Sequence, residues 1–136
     1  MSGPPLQLVC VDASRKHLVL TITETRLDND IMARRLEEEL LAAIETVGPG
    51  HVVLDLHKVA ILHSIALQSL LNLRRRVDRR SGHVVLCGLC PIVEQVFQIT
   101  GLIAEPNRPA PVLFEVKPDV AAALAHLELL PPPPAP

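Results

Sequence analysis

The stretch HVVLDLHKVAILHSIALQSLL, His51 to Leu71, decides how this chain is read. HVVLDL is a compact run of β-formers and suits a strand buried on both faces. His57-Lys58 interrupts it, and Val59 to Leu62 is apolar again. From Ser64 the spacing turns helical: Leu67, Leu70, Leu71 and Val77 form one face, while Gln68, Asn72, Arg75, Arg76 and Arg79 fall largely away from it. A strand thus hands over to a helix at ILHSIA, and a lone hydroxyl, Ser64, sits at the handover.

The same grammar extends in both directions. Upstream, Leu6 to Val11 and His17 to Thr23 read as two strands joined by a polar turn, an antiparallel hairpin. Leu27-Asp28-Asn29-Asp30 offers caps for a helix whose apolar face would be Ile31, Met32, Leu36, Leu40, Ile44 and Val47, ended by Gly48-Pro49-Gly50. Downstream, Ser81-Gly82 stops the central helix, and His83 to Cys87 is a further buried-type strand. Cys90-Pro91 then opens a short helix with Val93, Val96, Phe97 and Ile99 that ends at Gly101. After a proline-bearing loop, Pro111 to Val116 is the last strand, and Pro118 starts a helix through Ala121, Leu124 and Leu127.

Strands alternating with helices after a hairpin predict a single α/β domain: a mainly parallel β-sheet, an N-terminal antiparallel hairpin and about four helices packed against it. The expected division is a tail at 1–5, the domain at 6–128 and a proline-rich tail at 129–136, extended and unpacked.

Bulk properties narrow the function. The chain has 136 residues, a size that suits one domain with a core of its own. Phe97 and Phe114 are its only Phe, Tyr or Trp residues, so the core is aliphatic and base-stacking nucleic-acid platforms are not expected. A net charge of -2 supplies no field for DNA or anionic membrane. Three cysteines read as thiols of a reducing cytosol. No apolar run suits a signal peptide or a bilayer span, so the cytoplasm is the expected location.

The ordered set Asp55-Leu56, Ile61-Leu62, Ser64, Leu67, Arg74 to Arg76 and Thr100-Gly101-Leu102 resembles the STAS domain, the module of bacterial anti-sigma factor antagonists. Leu27-Asp28 resembles the pair that opens that family's first helix, and VLFEV with AAALAHL resembles its last strand and helix. The resemblance covers about residues 6 to 128. The family's Asp-Ser-Ser-Gly or Asp-Ser-Thr-Gly turn falls on His63-Ser64-Ile65-Ala66: the serine is kept, while Asp, the second hydroxyl residue and Gly are replaced. The Gly that often precedes the Leu-Asp aspartate by three residues is Thr25.

The resemblance implies a non-enzymatic regulator without cofactor, metal or small-molecule substrate. It would bind an anti-sigma factor or related serine kinase through Asp28, His63, Ser64, Ile65 and Ala66, and phosphorylation at Ser64 would switch it off. In that scheme the unmodified protein sequesters the anti-sigma factor, which frees the sigma factor.

Each residue also has a plainer reading. Ser64 could be an N-cap, worth about 1 kcal/mol over Ala, and Asp28 a cap of the first helix. His63 could be an exposed turn residue. The changed neighbours of Ser64 also suit a constitutive scaffold that is never phosphorylated. The pair Cys87 and Cys90 resembles a thioredoxin-type C-x-x-C between strand and helix, which would make the chain a thiol oxidoreductase. Zinc would need Cys10 and His83 to converge on that pair. Five arginines within Arg74 to Arg80 suit a solvated helix end, or an acidic protein partner.

Overall fold

The computed structural model describes residues 8–12, 17–47, 50–100 and 114–130, with Val47 described by its backbone alone. Parts of several expected features lie outside these residues: both tails, Leu6-Gln7, the hairpin turn at 13–16, Gly48-Pro49, Gly101-Leu102, the loop from Ala104 and Pro111 to Leu113.

The elements are β1 (Val9–Asp12), β2 (Leu18–Ile22), β3 (Arg26–Leu27), α1 (Asp30–Val47), β4 (Val52–Asp55), β5 (Ile61–Leu62), α2 (Ser64–Arg79), β6 (Val84–Cys87), α3 (Pro91–Ile99), β7 (Glu115–Lys117) and α4 (Val120–Glu128). Five strands form one sheet in the order β1-β2-β4-β6-β7. β1 and β2 pair antiparallel, and every other pairing in that sheet is parallel. The expected architecture is therefore present, with one addition. β3 and β5 form a separate parallel ribbon, matching Arg26 with Ile61 and Leu27 with Leu62.

Alternation along the strands sorts side chains to the two sheet faces. Leu18, Leu20 and Ile22, Val52 and Leu54, and Val84 and Leu86 join the main core with buried residues of α1, α2 and α3. Val19, Val53, Val85 and Cys87 point the other way and pack with Ala123 and Leu127 of α4. Both faces are dry, which is why these strands read as continuous apolar runs. Leu20, Leu54 and Leu86 lie side by side in register and are fully buried. Each is worth about 1.5–3 kcal/mol in transfer free energy.

The helices differ in detail from their sequence patterns. α1 buries Ala33, Leu36, Leu40, Ala43 and Ile44, whereas Ile31, expected on that face, is 79% exposed. It lies five positions before Leu36, about 140° away at 3.6 residues per turn. Ile99 of α3 and Ala121 of α4 also face solvent instead of the core. α2 adds Ser69 and Leu73 to its buried face. α4 begins at Val120, and its cap is Asp119, which accepts from the Ala122 amide at 2.8 Å; Pro118 precedes the helix.

Polar ties fix the layers. Glu39 of α1 is buried and its Oε1 accepts from the amides of Leu8 and Val9 at 2.8 and 3.1 Å, fastening the start of β1. These bonds satisfy backbone donors that a buried strand start would otherwise leave bare. The two phenylalanines meet edge to face at 6.0 Å, joining α3 to the approach of β7.

The sheet's N-terminal edge carries a row of imidazoles. His17, His51 and His83 immediately precede β2, β4 and β6, with ring centroids 5.5 and 5.2 Å apart. The His83 amide donates to His51 Nδ1 at 3.0 Å.

Candidate functional site

The site forms where β5 ends and α2 begins. The β3·β5 ribbon sets its geometry, because Leu27 pairs with Leu62 and the His63 amide donates to the Leu27 carbonyl at 2.9 Å. Asp28 follows Leu27, and His63 follows Leu62. Two segments far apart in sequence thus present Asp28 and His63-Ser64 side by side. Thr25 supports the ribbon from below: its carbonyl accepts from Ala60 and Ile61 at 2.8 and 3.1 Å.

Ser64 does not cap α2. The capping position is His63, in extended conformation at φ -92°, ψ 159°, and its imidazole makes no capping bond. Ser64 is the first helical residue, and its side chain is solvent-exposed. Among the described residues its hydroxyl has no hydrogen-bond partner. The first turn is tightened instead by the Ala66 amide, which donates to the His63 carbonyl at 3.0 Å. The capping reading required a side chain one position earlier, outside the helix.

Asp28 does not cap α1 either. Asn29 does, its Oδ1 accepting from the Met32 amide at 2.9 Å. Asp28 pairs with Arg26 Nε at 3.1 Å, a half-exposed surface contact worth about 0–1 kcal/mol. Its remaining carboxylate oxygen accepts from the Asn29 side-chain Nδ2 at 3.4 Å.

The flanking residues divide. Ile65 is 40% exposed, an aliphatic side chain presented to solvent beside Ser64. Ala66 was expected on the same surface, but it is 0% exposed and belongs to the core, so it is not part of the surface around Ser64. Its small size is what lets the first turn of α2 sit down on the core.

The chemistry available here is that of a helix N-terminus. Leading amides lack intrahelical acceptors, and the aligned peptide dipoles favour negative charge. A phosphate placed on Ser64 would add roughly -1.5 to -2 charges at a position the fold itself tolerates.

Three of the five arginines are committed internally, while Arg75 and Arg79 are exposed. Arg76 and Arg80 both ion-pair with Glu45 of α1, the latter at 2.8 Å, and Arg80 also donates to the Ile44 carbonyl at 3.1 Å. Arg74 pairs with Asp78 at 3.0 Å. Arg76 therefore turns toward α1, contrary to the pattern that set it on the solvent side.

The thiol pair is built unlike a redox centre. Cys87 is fully buried, and that burial pushes its thiol from 9.0 up to about 12, with Asp55 and Asp119 adding in the same direction. A reactive thiol needs its pKa lowered, so this environment opposes the oxidoreductase reading. Asp55 is itself held by His57, whose amide and Nδ1 lie 3.0 and 2.8 Å from its carboxylate. Cys90 caps α3 with Pro91 at the first turn, as expected, and its Sγ lies 3.6 Å from the Val59 carbonyl. Among the described residues no three His, Cys, Asp or Glu side chains converge to hold a metal ion, and no helix is long and apolar enough to cross a membrane.

Sequence reasoning did not find Ile31 as a surface residue, nor the groove that Ile65 borders between α1 and α2. Helical angle arithmetic would have found Ile31, which lies about 140° from Leu36 and about 180° from Leu40.

Fold and site together define an α/β protein-interaction module, with a helix N-terminus exposed where the β3·β5 ribbon ends. The STAS domain family model matches residues 29–123, well over half of the sequence, and the chain belongs to that family. BtrV of Bordetella bronchiseptica, named as an anti-sigma factor antagonist, is 36% identical over 76 residues; the match covers 56% of this chain and 65% of BtrV, just under two thirds of its length. An anti-sigma factor antagonist (STAS) domain protein from Planctomyces limnophilus superposes with a TM-score of 0.72 at 18% identity, covering 88% of this chain and 97% of that one. Moorella thermoacetica RsbS, in a variant form, gives 0.69 at 20% identity, covering 90% and 96%. At such identities the two structures speak for the fold.

Proposed function

We propose that this protein is an anti-sigma factor antagonist that binds an anti-sigma factor with serine-kinase activity through the N-terminal end of α2, and that phosphorylation of Ser64 by that kinase ends the complex. The observation that carries this reading is the exposed, unbonded Ser64 hydroxyl at the first position of α2, beside Asp28. The name of BtrV supports the same class. The nucleotide belongs to the kinase. A partner packed over this end would have to desolvate a phosphate, while the domain would hold it on its own helix terminus.

The partner is recovered by pull-down from the native cell and purified. Calorimetry with Ser64→Asp is expected to show binding weakened about tenfold or more, roughly 1.4 kcal/mol, with Ser64→Ala binding as the native protein does. Equal affinities would rule out a charge switch.

A constitutive scaffold that is never phosphorylated is the second reading, favoured by the exposed Ile65 and by His63 in place of an acid. Mass spectrometry after incubation with the partner and ATP separates the two: an unmodified Ser64 in a complex that still forms selects the scaffold.

A further inference from the structure

Beside Ser64 a groove of about 370 Å³ opens between α1 and α2. Its floor includes Ala33 and Ser69, both buried, and the Ser69 hydroxyl donates to the Ala33 carbonyl at 2.7 Å. That bond leaves the floor without an unmet polar demand, so an apolar group can be laid on it without orphaning a donor. Ile65 forms the wall nearest Ser64. The α1 side carries Asp30, Glu37 and Glu38 against one cation, Arg34. Glu37 accepts from Asn72 Nδ2 at 2.8 Å, which fixes its position and leaves its charge. Ile31, 79% exposed, stands three and seven positions before Arg34 and Glu38, on the same strip of helix. The groove is thus apolar in its floor and wall, acidic at its rim, and continued outward by a second exposed isoleucine.

This inference rests on the partner-binding reading of the α2 N-terminus and names what seats beside it. We propose that the groove receives a segment of the protein partner carrying one bulky aliphatic side chain flanked by lysines or arginines. The aliphatic group packs against Ile65 over the Ala33–Ser69 floor. The cations face Asp30, Glu37 and Glu38, where complementarity sets register and suppresses acidic competitors. Ile65, at the place of a family hydroxyl residue, is then the side chain that selects this partner.

The test is an NMR titration of the isotope-labelled full chain with three synthetic peptides. One has a central leucine between lysine pairs, one replaces that leucine with serine, and one replaces the lysines with glutamates. The basic leucine peptide is expected to shift the amides of Ala33, Arg34, Ile65 and Gln68. The serine and glutamate peptides are expected to bind about tenfold more weakly or worse. Ile65→Ser and Glu38→Lys, both at surface positions, are each expected to weaken the basic peptide several-fold while leaving the rest of the spectrum in place. Absence of shifts at millimolar peptide, shifts centred elsewhere, equal binding of the acidic peptide, or indifference to Ile65→Ser would each overturn the proposal. A kinase that leaves Ser64 unmodified would end the switch reading and leave this titration standing; a flat titration ends the groove and leaves the switch standing.

Discussion

At its C-terminal end α2 is closed by a turn in which the Ser81 amide donates to Asp78 and the Gly82 amide to Val77, at 2.9 and 3.0 Å, and by Arg76 and Arg80 reaching Glu45 on α1. At its N-terminal end Ser64 and Ile65 face solvent, and His63 contributes no capping side chain. One end satisfies its last carbonyls and is clamped to a neighbouring helix; the other is left open. Stability is thereby placed away from the surface proposed to meet a partner. A charge can be added at Ser64 without removing any bond that holds the domain.

Substitutions along α2 test this division. Leu70→Ala strikes the fully buried middle of the helix and should cost about 2–5 kcal/mol in urea unfolding. A loss under 1 kcal/mol would mean the buried face is not what anchors the helix. Arg80→Ala removes the bonds to Ile44 and Glu45 at the closed end and should cost about 1–2 kcal/mol. A double-mutant cycle with Glu45→Ala should show coupling that shrinks in salt; additive losses would sink the clamp. Ser81 adopts φ 61°, a left-handed conformation costly to a residue with a Cβ. Ser81→Gly should therefore raise stability by about 0.5–1 kcal/mol, read as a rise in Tm, and no gain would show that the turn carries no strain. Ser64→Ala at the open end should change stability by less than about 0.5 kcal/mol. A loss of 1 kcal/mol or more would restore the capping role that its position denies it.

Much of the fold was readable because both sheet faces are buried: strands such as HVVLDL and HVVLC announce themselves as unbroken aliphatic runs. The helices were readable from their spacing, and Cys90-Pro91 from the fixed preference of proline for a first turn. Two-residue strands leave no periodicity to detect, so the β3·β5 ribbon was invisible, and with it the reason Asp28 approaches His63. The capping error at Ser64 is a one-residue boundary error with chemical consequences, since a cap and a first helical residue aim their hydroxyls differently. Arg76 and Arg80 were misjudged because their partner Glu45 sits on another helix, and sequence spacing carries no account of helix-to-helix reach; Arg75 and Arg79 are exposed, as the solvated-end reading expected. Of the residues expected at the partner-facing surface, His63, Ser64 and Ile65 lie exposed and Asp28 partly so, while Ala66, carried there by resemblance, is buried.

The small ribbon has one more consequence. It matches Leu27 to Leu62, and both side chains are buried. Inserting or deleting one residue just before either leucine would slip the register and turn a core leucine outward. The alignment of Asp28 with His63 and Ser64, which follow the paired leucines, is therefore set by packing. Side chains at this surface can drift from Asp to His and from a hydroxyl to Ile, while the length of chain that delivers them cannot.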